Sequence, residues 1–264
     1  MQVASKRVDA AEVRTVGLLA GLRQVTFTDL ALSLYLPGGP SLDQSFHHAL
    51  LKDLQRDYDR TGHSAEHDAL RREFKAVQEF LDDHPQGGKP LAIFSCTLTD
   101  FFEVRHLPGD VPAQLWIDRS LHLEPLIKIL AGYPPALLVA VDKERTRVFR
   151  LVLDETEELS DIAGEPIKRH AQGGWSQSRF QHHEDFHAES NISRTVRLIV
   201  QLPPHLLTCI AVAGPVEARA SFINQLPAHL RPSVIELSAP LYLRSARLAD
   251  HLRDAYLHLV AGKK

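Results

Sequence analysis

Beyond residue 133 the chain sets out its elements in an order that few folds accommodate. Ala136–Val141 and Arg147–Leu153 are apolar runs of strand length, and the charged turn Asp142-Lys143-Glu144-Arg145 between them predicts a hairpin. A third strand is expected near Glu155–Leu159. Farther on, Ala188, Ile192, Val196 and Ile199 recur at helical spacing, which predicts a helix from about Ser176 to Gln201. Leu207–Ala213 reads as a buried strand closed by Gly214-Pro215, with the proline suited to the first helical position. A helix through Ala218, Phe222 and Leu226, a strand at Ser233–Leu237 and a closing helix at Tyr242–Val260 complete the series. The order β-β-β-α-β-α-β-α predicts an α/β fold in which a mixed sheet is flanked by helices.

The first half alternates in the same way. A helix is expected over residues 9–22, then the strand Ala31–Leu36, closed by Pro37-Gly38-Gly39-Pro40. Ser41 suits the N-cap of a helix through Leu50, Leu51 and Leu54. Thr61-Gly62 breaks that helix, and Ser64 opens another carrying Leu70, Phe74, Val77, Phe80 and Leu81. Three β patterns, Leu91–Cys96, Phe101–Leu107 and Gln114–Asp118, precede a short helix near Leu123–Ala131. Gly132-Tyr133-Pro134-Pro135 is the best linker, so two domains are expected, 1–132 and 133–264.

Composition excludes several classes. The formal net charge is −3, so bulk electrostatic capture of nucleic acid is not expected and any such contact needs a local patch. Cys96 and Cys209, each in an apolar run, read as buried reduced thiols. The N-terminal stretch has no apolar signal core, and the apolar runs are far shorter than a membrane span. A cytoplasmic protein with no membrane and no DNA partner is expected.

Residues Gln172-Gly173-Gly174-Trp175-Ser176-Gln177-Ser178-Arg179 stand out from that framework. They end a connection longer than most in a compact domain, of the kind that is usually functional or disordered. Adjacent glycines let the backbone approach another molecule closely. The Gln177 amide and the Arg179 guanidinium are suited to gripping a polar, anionic ligand. Lys168, Arg169, His170 and Arg194 add a weakly basic surface on either side, and protonated histidine would strengthen it below about pH 6.5.

Gly173-Gly174-Trp175-Ser176-Gln177 with Arg179 and Phe180, followed by a long helix and Ile210-Ala211-Val212-Ala213-Gly214-Pro215, resembles a bacterial and archaeal family of release-factor-like proteins. That family is related to the class 1 peptide-chain release factors and grouped with peptidyl-tRNA hydrolases of stalled ribosomes. Ser33-Leu34-Tyr35-Leu36-Pro37 ahead of a helical pair is similar to the start of the release factors' first domain. The resemblance implies that residues 1–132 correspond to that first domain and 133–264 to the RNase H-like middle domain. It implies the ribosome and tRNA as partners, and no cofactor or metal. Release factors place Gln directly after the glycines; here Trp175 and Ser176 intervene, so Gln177 is the matching residue. No codon-reading motif and no third, partner-recruiting domain has a counterpart, and stop-codon reading is not expected.

Under this resemblance Gly173, Gly174 and Gln177 are the catalytic candidates, and Trp175, Ser176, Arg179, Lys168, Arg169 and Arg194 the RNA-binding ones. The ester of peptidyl-tRNA needs a placed water and donors for the oxyanion, which a glutamine can help supply. The alternative is a non-catalytic tRNA- or ribosome-binding factor of stress or dormancy. A third reading comes from His183-Glu184-Asp185-Phe186-His187, which spells the zinc-protease pattern H-E-x-x-H. Ser190 and Ser193 stand where its longer form needs Gly and His, and no third ligand announces itself, although Glu217 or Glu236 could be proposed. His47, His48, His63 and His67 read as solvated helix positions and Trp116 as core. Arg56–Arg60 and Arg71–Lys75 read as i,i+4 surface pairs.

Overall fold

A strand with polar residues at its start and apolar ones at its end, Thr26–Leu36 (β1), runs through the first of two sheets. The computed structural model describes residues 22, 26–39, 44–60, 67–84, 88–142, 144–163, 190–238 and 245–262. These fall into two compact units, Met1–Tyr133 and Pro134–Lys264.

In the first unit, helices Gln44–Arg60 (α1) and His67–Asp83 (α2) follow β1, then strands Leu91–Cys96 (β2), Phe101–His106 (β3) and Gln114–Ser120 (β4) and helix Glu124–Gly132 (α3). The sheet order is β3-β2-β1-β4, all antiparallel. Leu32, Leu34 and Leu36 of β1 and Leu91 and Ile93 of β2 share one face, as period-two alternation requires. The helices cover that face with Leu51, Leu70, Phe74, Val77 and Leu81. On the other face Tyr35 is fully buried, and its hydroxyl donates to the His122 carbonyl at 2.7 Å. The His122 N–H in turn donates to Ser33 Oγ at 2.9 Å. Burial pushes the Tyr35 phenol above its ordinary range, so it stays a neutral donor.

Several expectations change here. β1 starts five residues before Ala31 because its first pairs with β4 pass through an irregularity between Thr26 and Ala31, which spoils the alternation. His47 is buried, not solvated, with Nε2 at 3.4 Å from the Pro37 carbonyl. Trp116 is half-buried, not core; its ring stacks on His122 at 3.7 Å and meets Tyr35 edge-on. Arg56 and Arg60 pair with Asp53 and Asp57 at i,i+3, while Lys75 pairs with Glu79 at i,i+4. The helix over 9–22, Ser41, Thr61-Gly62, Ser64 and His63 lie outside the described residues, apart from a helical Leu22.

The second unit is a mixed sheet of order β7-β6-β5-β8-β9. Its strands are Ala136–Val141 (β5), Arg145–Val152 (β6), Glu155–Ala163 (β7), Ile210–Ala213 (β8) and Val234–Leu237 (β9). β5 pairs antiparallel with β6 and parallel with β8, and β8 pairs parallel with β9. β5 and β8 are buried along their whole length, which is why both read as unbroken apolar runs. Residues 190–200 (α4) and Val216–Gln225 (α5) pack on one face through Ile192, Val196, Ile199, Ala218 and Phe222. Leu248–Ala261 (α6) covers the other face with Leu248, Leu252 and Tyr256.

β8 begins three residues after Leu207, because Pro203-Pro204 set up a 3₁₀ turn over Pro204–Leu206. The N–H groups of Leu206 and Leu207 bond back to those prolines' carbonyls and are not available to a ladder. Pro215 is the N-cap of α5 and not its first residue. Cys209 is half-buried, in contrast to the buried Cys96, and neither forms a disulfide. No helix among the described residues is long and apolar enough to cross a membrane.

Candidate functional site

The loop expected to carry chemistry connects β7 to α4, and residues 164–189 lie outside the described part of the molecule. Gly173, Gly174, Gln177, Trp175, Ser176, Arg179, Lys168 and Arg169 therefore have no position to report, and neither do His183, Glu184 and His187. Arg194, one turn into α4, is exposed. What the structure shows is the frame on which the loop is mounted.

The β7 side of the frame is fixed by charge. Arg147 on β6 grips Glu158 with Nε and Nη2, both at 2.8 Å, and its Nη1 donates to the Ser245 carbonyl at 3.0 Å. Its guanidinium also lies over the Phe149 ring, 4.9 Å from the centroid. Arg145 grips Asp161 with two nitrogens, Nε at 2.6 Å. The hydrogen bond from Arg145 holds the Asp161 carboxyl below its usual range and raises the arginine in return. Two-pronged guanidinium–carboxylate pairs hold orientation as well as distance, so the last turns of β7 enter the loop in a defined direction.

The α4 side is fixed by packing and side-chain hydrogen bonds. Ile192, Val196 and Ile199 bury one stripe of the helix. Thr195 turns its hydroxyl back onto the Asn191 carbonyl at 2.9 Å, which satisfies it inside the core. Ser193 Oγ donates to Gln225 Oε1 at 2.6 Å and ties α4 to the last turn of α5.

The strand-to-helix turn at Gly214-Pro215 completes the frame. Gly214 has φ +152°, and a Cβ there would stand 2.1 Å from the Val141 carbonyl oxygen, so only glycine fits beside the end of β5. Arg219 donates to the Gly214 carbonyl at 2.9 Å and pairs with Glu236 at 2.7 Å, pinning the turn to β9. Glu236 is thereby engaged, which removes one of the acids suggested as a metal ligand. Among the described residues there is no group of three or more His, Cys, Asp or Glu placed to hold a metal ion.

Arg197 is exposed one turn beyond Arg194, and the i,i+3 spacing sets the two arginines on the side of the helix opposite the apolar stripe.

With β-β-β-α-β-α-β-α established and the loop bracketed by β7 and α4, the fold is that of a release-factor-like α/β protein. Residues 122–255, half of the chain, match the family described as bacterial archaeo-eukaryotic release factor family 10. The chain belongs to that family. No curated protein sequence matches it. Among solved structures, an archaeal translation termination factor, aRF1, is similar at 16% identity and TM-score 0.35, over 97% of this chain and 75% of that one. Pelota of Archaeoglobus fulgidus is similar at 12% identity and TM-score 0.28, over 68% of this chain and 50% of that one. Dom34 of S. cerevisiae, titled a translation termination-like factor, gives 10% identity and TM-score 0.29, over 66% and 54%.

Proposed function

We propose that this protein is a ribosome-associated release-factor-like hydrolase that frees the nascent peptide from peptidyl-tRNA on stalled ribosomes. The observation that carries the reading is the family match over 122–255, which spans the Gly-Gly loop, its two anchoring elements and the Gly214 turn. Gly173 and Gly174 let the loop enter a crowded site, and the Gln177 amide orients the attacking water. The water oxygen bonds to the ester carbonyl carbon, and the bond from that carbon to the ribose oxygen breaks. The water's proton passes to that ribose oxygen, leaving a free peptide acid and deacylated tRNA. Backbone N–H groups of the loop meet the oxyanion while it lasts, and pre-placed donors of this kind are worth roughly 3–4 kcal/mol of barrier each. Trp175, Ser176, Arg179, Lys168, Arg169 and Arg194 contact RNA, the cations meeting phosphate.

The test is single-turnover release of labelled peptide from purified stalled ribosomes. Gln177→Ala is expected to slow release about 100-fold while sedimentation with ribosomes is kept. Release at the wild-type rate by that variant would sink the catalytic claim for Gln177, and no release by the wild type despite sedimentation with ribosomes would leave a binding factor of stress or dormancy. Intact tRNA among the products separates ester hydrolysis from cleavage of the tRNA 3′ arm.

A further inference from the structure

We propose that the free edge of β3 binds an extended, arginine-rich peptide by strand addition, with the rings of Phe80, His84 and Phe102 receiving its cationic side chains. The proposal concerns the first unit alone and holds whether or not the second unit releases peptide. β3 stands at the end of its sheet and pairs on one side only, with β2. The Leu107 N–H donates to the Pro90 carbonyl at 2.9 Å, one step beyond the Leu91–His106 pair in the register. Hydrogen-bonded and non-bonded pairs alternate in an antiparallel ladder, so Phe101, Glu103 and Arg105 turn their backbone groups to β2. The N–H and carbonyl groups of Phe102 and Val104 point the other way, where no strand lies among the described residues.

The same two residues decide what an added strand would touch. Both side chains turn to the helical face. Val104 packs on the core beneath α1 and α2, and the Phe102 ring lies 5.5 Å from that of Phe80 on α2. At the margin of the sheet Phe102 stays 38% exposed. His84, also exposed, stacks on Phe80 at 4.7 Å with the rings 15° apart. Its Nδ1 donates to the Phe80 carbonyl at 3.1 Å, which holds the imidazole in that position. Three rings thus stand in a row beside an open row of backbone donors and acceptors.

Charge selects the occupant. Residues 76–84 and 91–102, which carry these rings, contain Glu79, Asp82, Asp83 and Asp100 and no lysine or arginine. Asp83 and Asp100 are exposed and have no ion partner among the described residues. An acidic rim repels a phosphate backbone, which disfavours nucleic-acid bases as the stacking partners. A guanidinium gains from both the ring faces and the carboxylates. Side chains alternate along an added strand, so the fitting ligand carries arginine at every second position.

Full-length protein would be titrated, by fluorescence anisotropy, with a labelled decapeptide of alternating arginine and threonine. Replacing every arginine of the peptide by glutamate is expected to abolish binding. Phe102→Ala should weaken binding about tenfold, and Asp83→Asn/Asp100→Asn about threefold with a shallower salt dependence. Backbone N-methylation of the arginines and, in a second peptide, of the threonines tests the ladder on the wild-type protein, whatever the fold of the variants. One set of amides faces β3 and its methylation is expected to abolish binding; the other faces solvent and its methylation is tolerated. Loss from both sets, or from neither, overturns strand addition. Wild-type affinity in Phe102→Ala overturns the ring site, and equal binding of the arginine and glutamate peptides overturns the cationic occupant. Tighter binding of a labelled ten-nucleotide uridine oligomer would assign the rings to RNA. A dimer in sedimentation equilibrium that Phe102→Ala dissociates would assign the edge to a second copy of the chain; either result overturns the proposal.

Discussion

Glu73 is buried in the first unit's core, and every group facing it donates. Ser95 Oγ is 2.5 Å away, the Thr97 N–H 2.9 Å and Thr97 Oγ1 2.7 Å. A carboxylate accepts all three; an amide would turn its own N–H₂ toward a donor. Glu73→Gln is therefore expected to destabilise the protein by about 1–3 kcal/mol, read as a lower urea midpoint, despite near-identical shape. Gly214→Ala adds positive φ to a carbon 2.1 Å from the Val141 oxygen, and should lose at least ~2 kcal/mol or fail to fold. These two residues differ in what the sequence discloses. Gly214 precedes a proline at the end of an apolar run, so its turn was legible. Glu73 lies among Arg71, Arg72 and Lys75 and reads as solvated helix surface, because its partners are 22 and 24 residues away. His47 misleads for the same reason: its partner, the Pro37 carbonyl, sits across a proline-glycine turn.

Among the elements, the β6–β7 hairpin carries a charge-dependent rigidity that pH can probe. The hydrogen bond from Arg145 lowers the Asp161 pKa in the folded protein. A depressed carboxylate contributes stability that is present above its unfolded value, about 3.9, and is lost as pH falls through the folded value. Hairpin stability should therefore drop in acid below about pH 4, and Asp161→Asn should flatten that limb while lowering stability at neutral pH. Amide hydrogen exchange on β7, followed against pH, is the measurement; an unchanged acid limb in Asp161→Asn would assign the drop elsewhere. The elements with one apolar face or none exposed were legible: Leu91–Cys96 and Ala136–Val141 match their expected bounds to the residue. The misjudged ends are those where backbone geometry, not side-chain pattern, sets the limit. β1 is extended through an irregular register, and β8 is shortened by two prolines that divert its first N–H groups. The loop itself stood out by composition, but its residues 164–189 lie outside those described, so its chemistry rests on sequence and family.

At the scale of the molecule, each unit buries its own apolar groups. The second unit has two cores, one on each side of its sheet. Leu137, Val139, Ile192, Ile199, Val212 and Phe222 belong to one, and Leu138, Ala140, Phe149, Leu248, Leu252 and Tyr256 to the other. Tyr256 closes the second core by donating to the Pro134 carbonyl at 2.7 Å, at the very start of the unit, and burial keeps its phenol protonated. A chain of this length with helices on both faces of a five-stranded sheet has enough buried surface to fold alone. A fragment spanning residues 134–264 is therefore expected to unfold in a single cooperative urea transition. Tyr256→Phe should lower its midpoint by about 1 kcal/mol through the lost hydrogen bond. A fragment with non-coincident fluorescence and circular dichroism transitions would show that the second unit depends on the first. If the fragment folds, the release assay can be run on it directly. Peptide release by 134–264 would then place the chemistry within the second unit, and release only by the full chain would assign the first unit a part in reaching the ribosome.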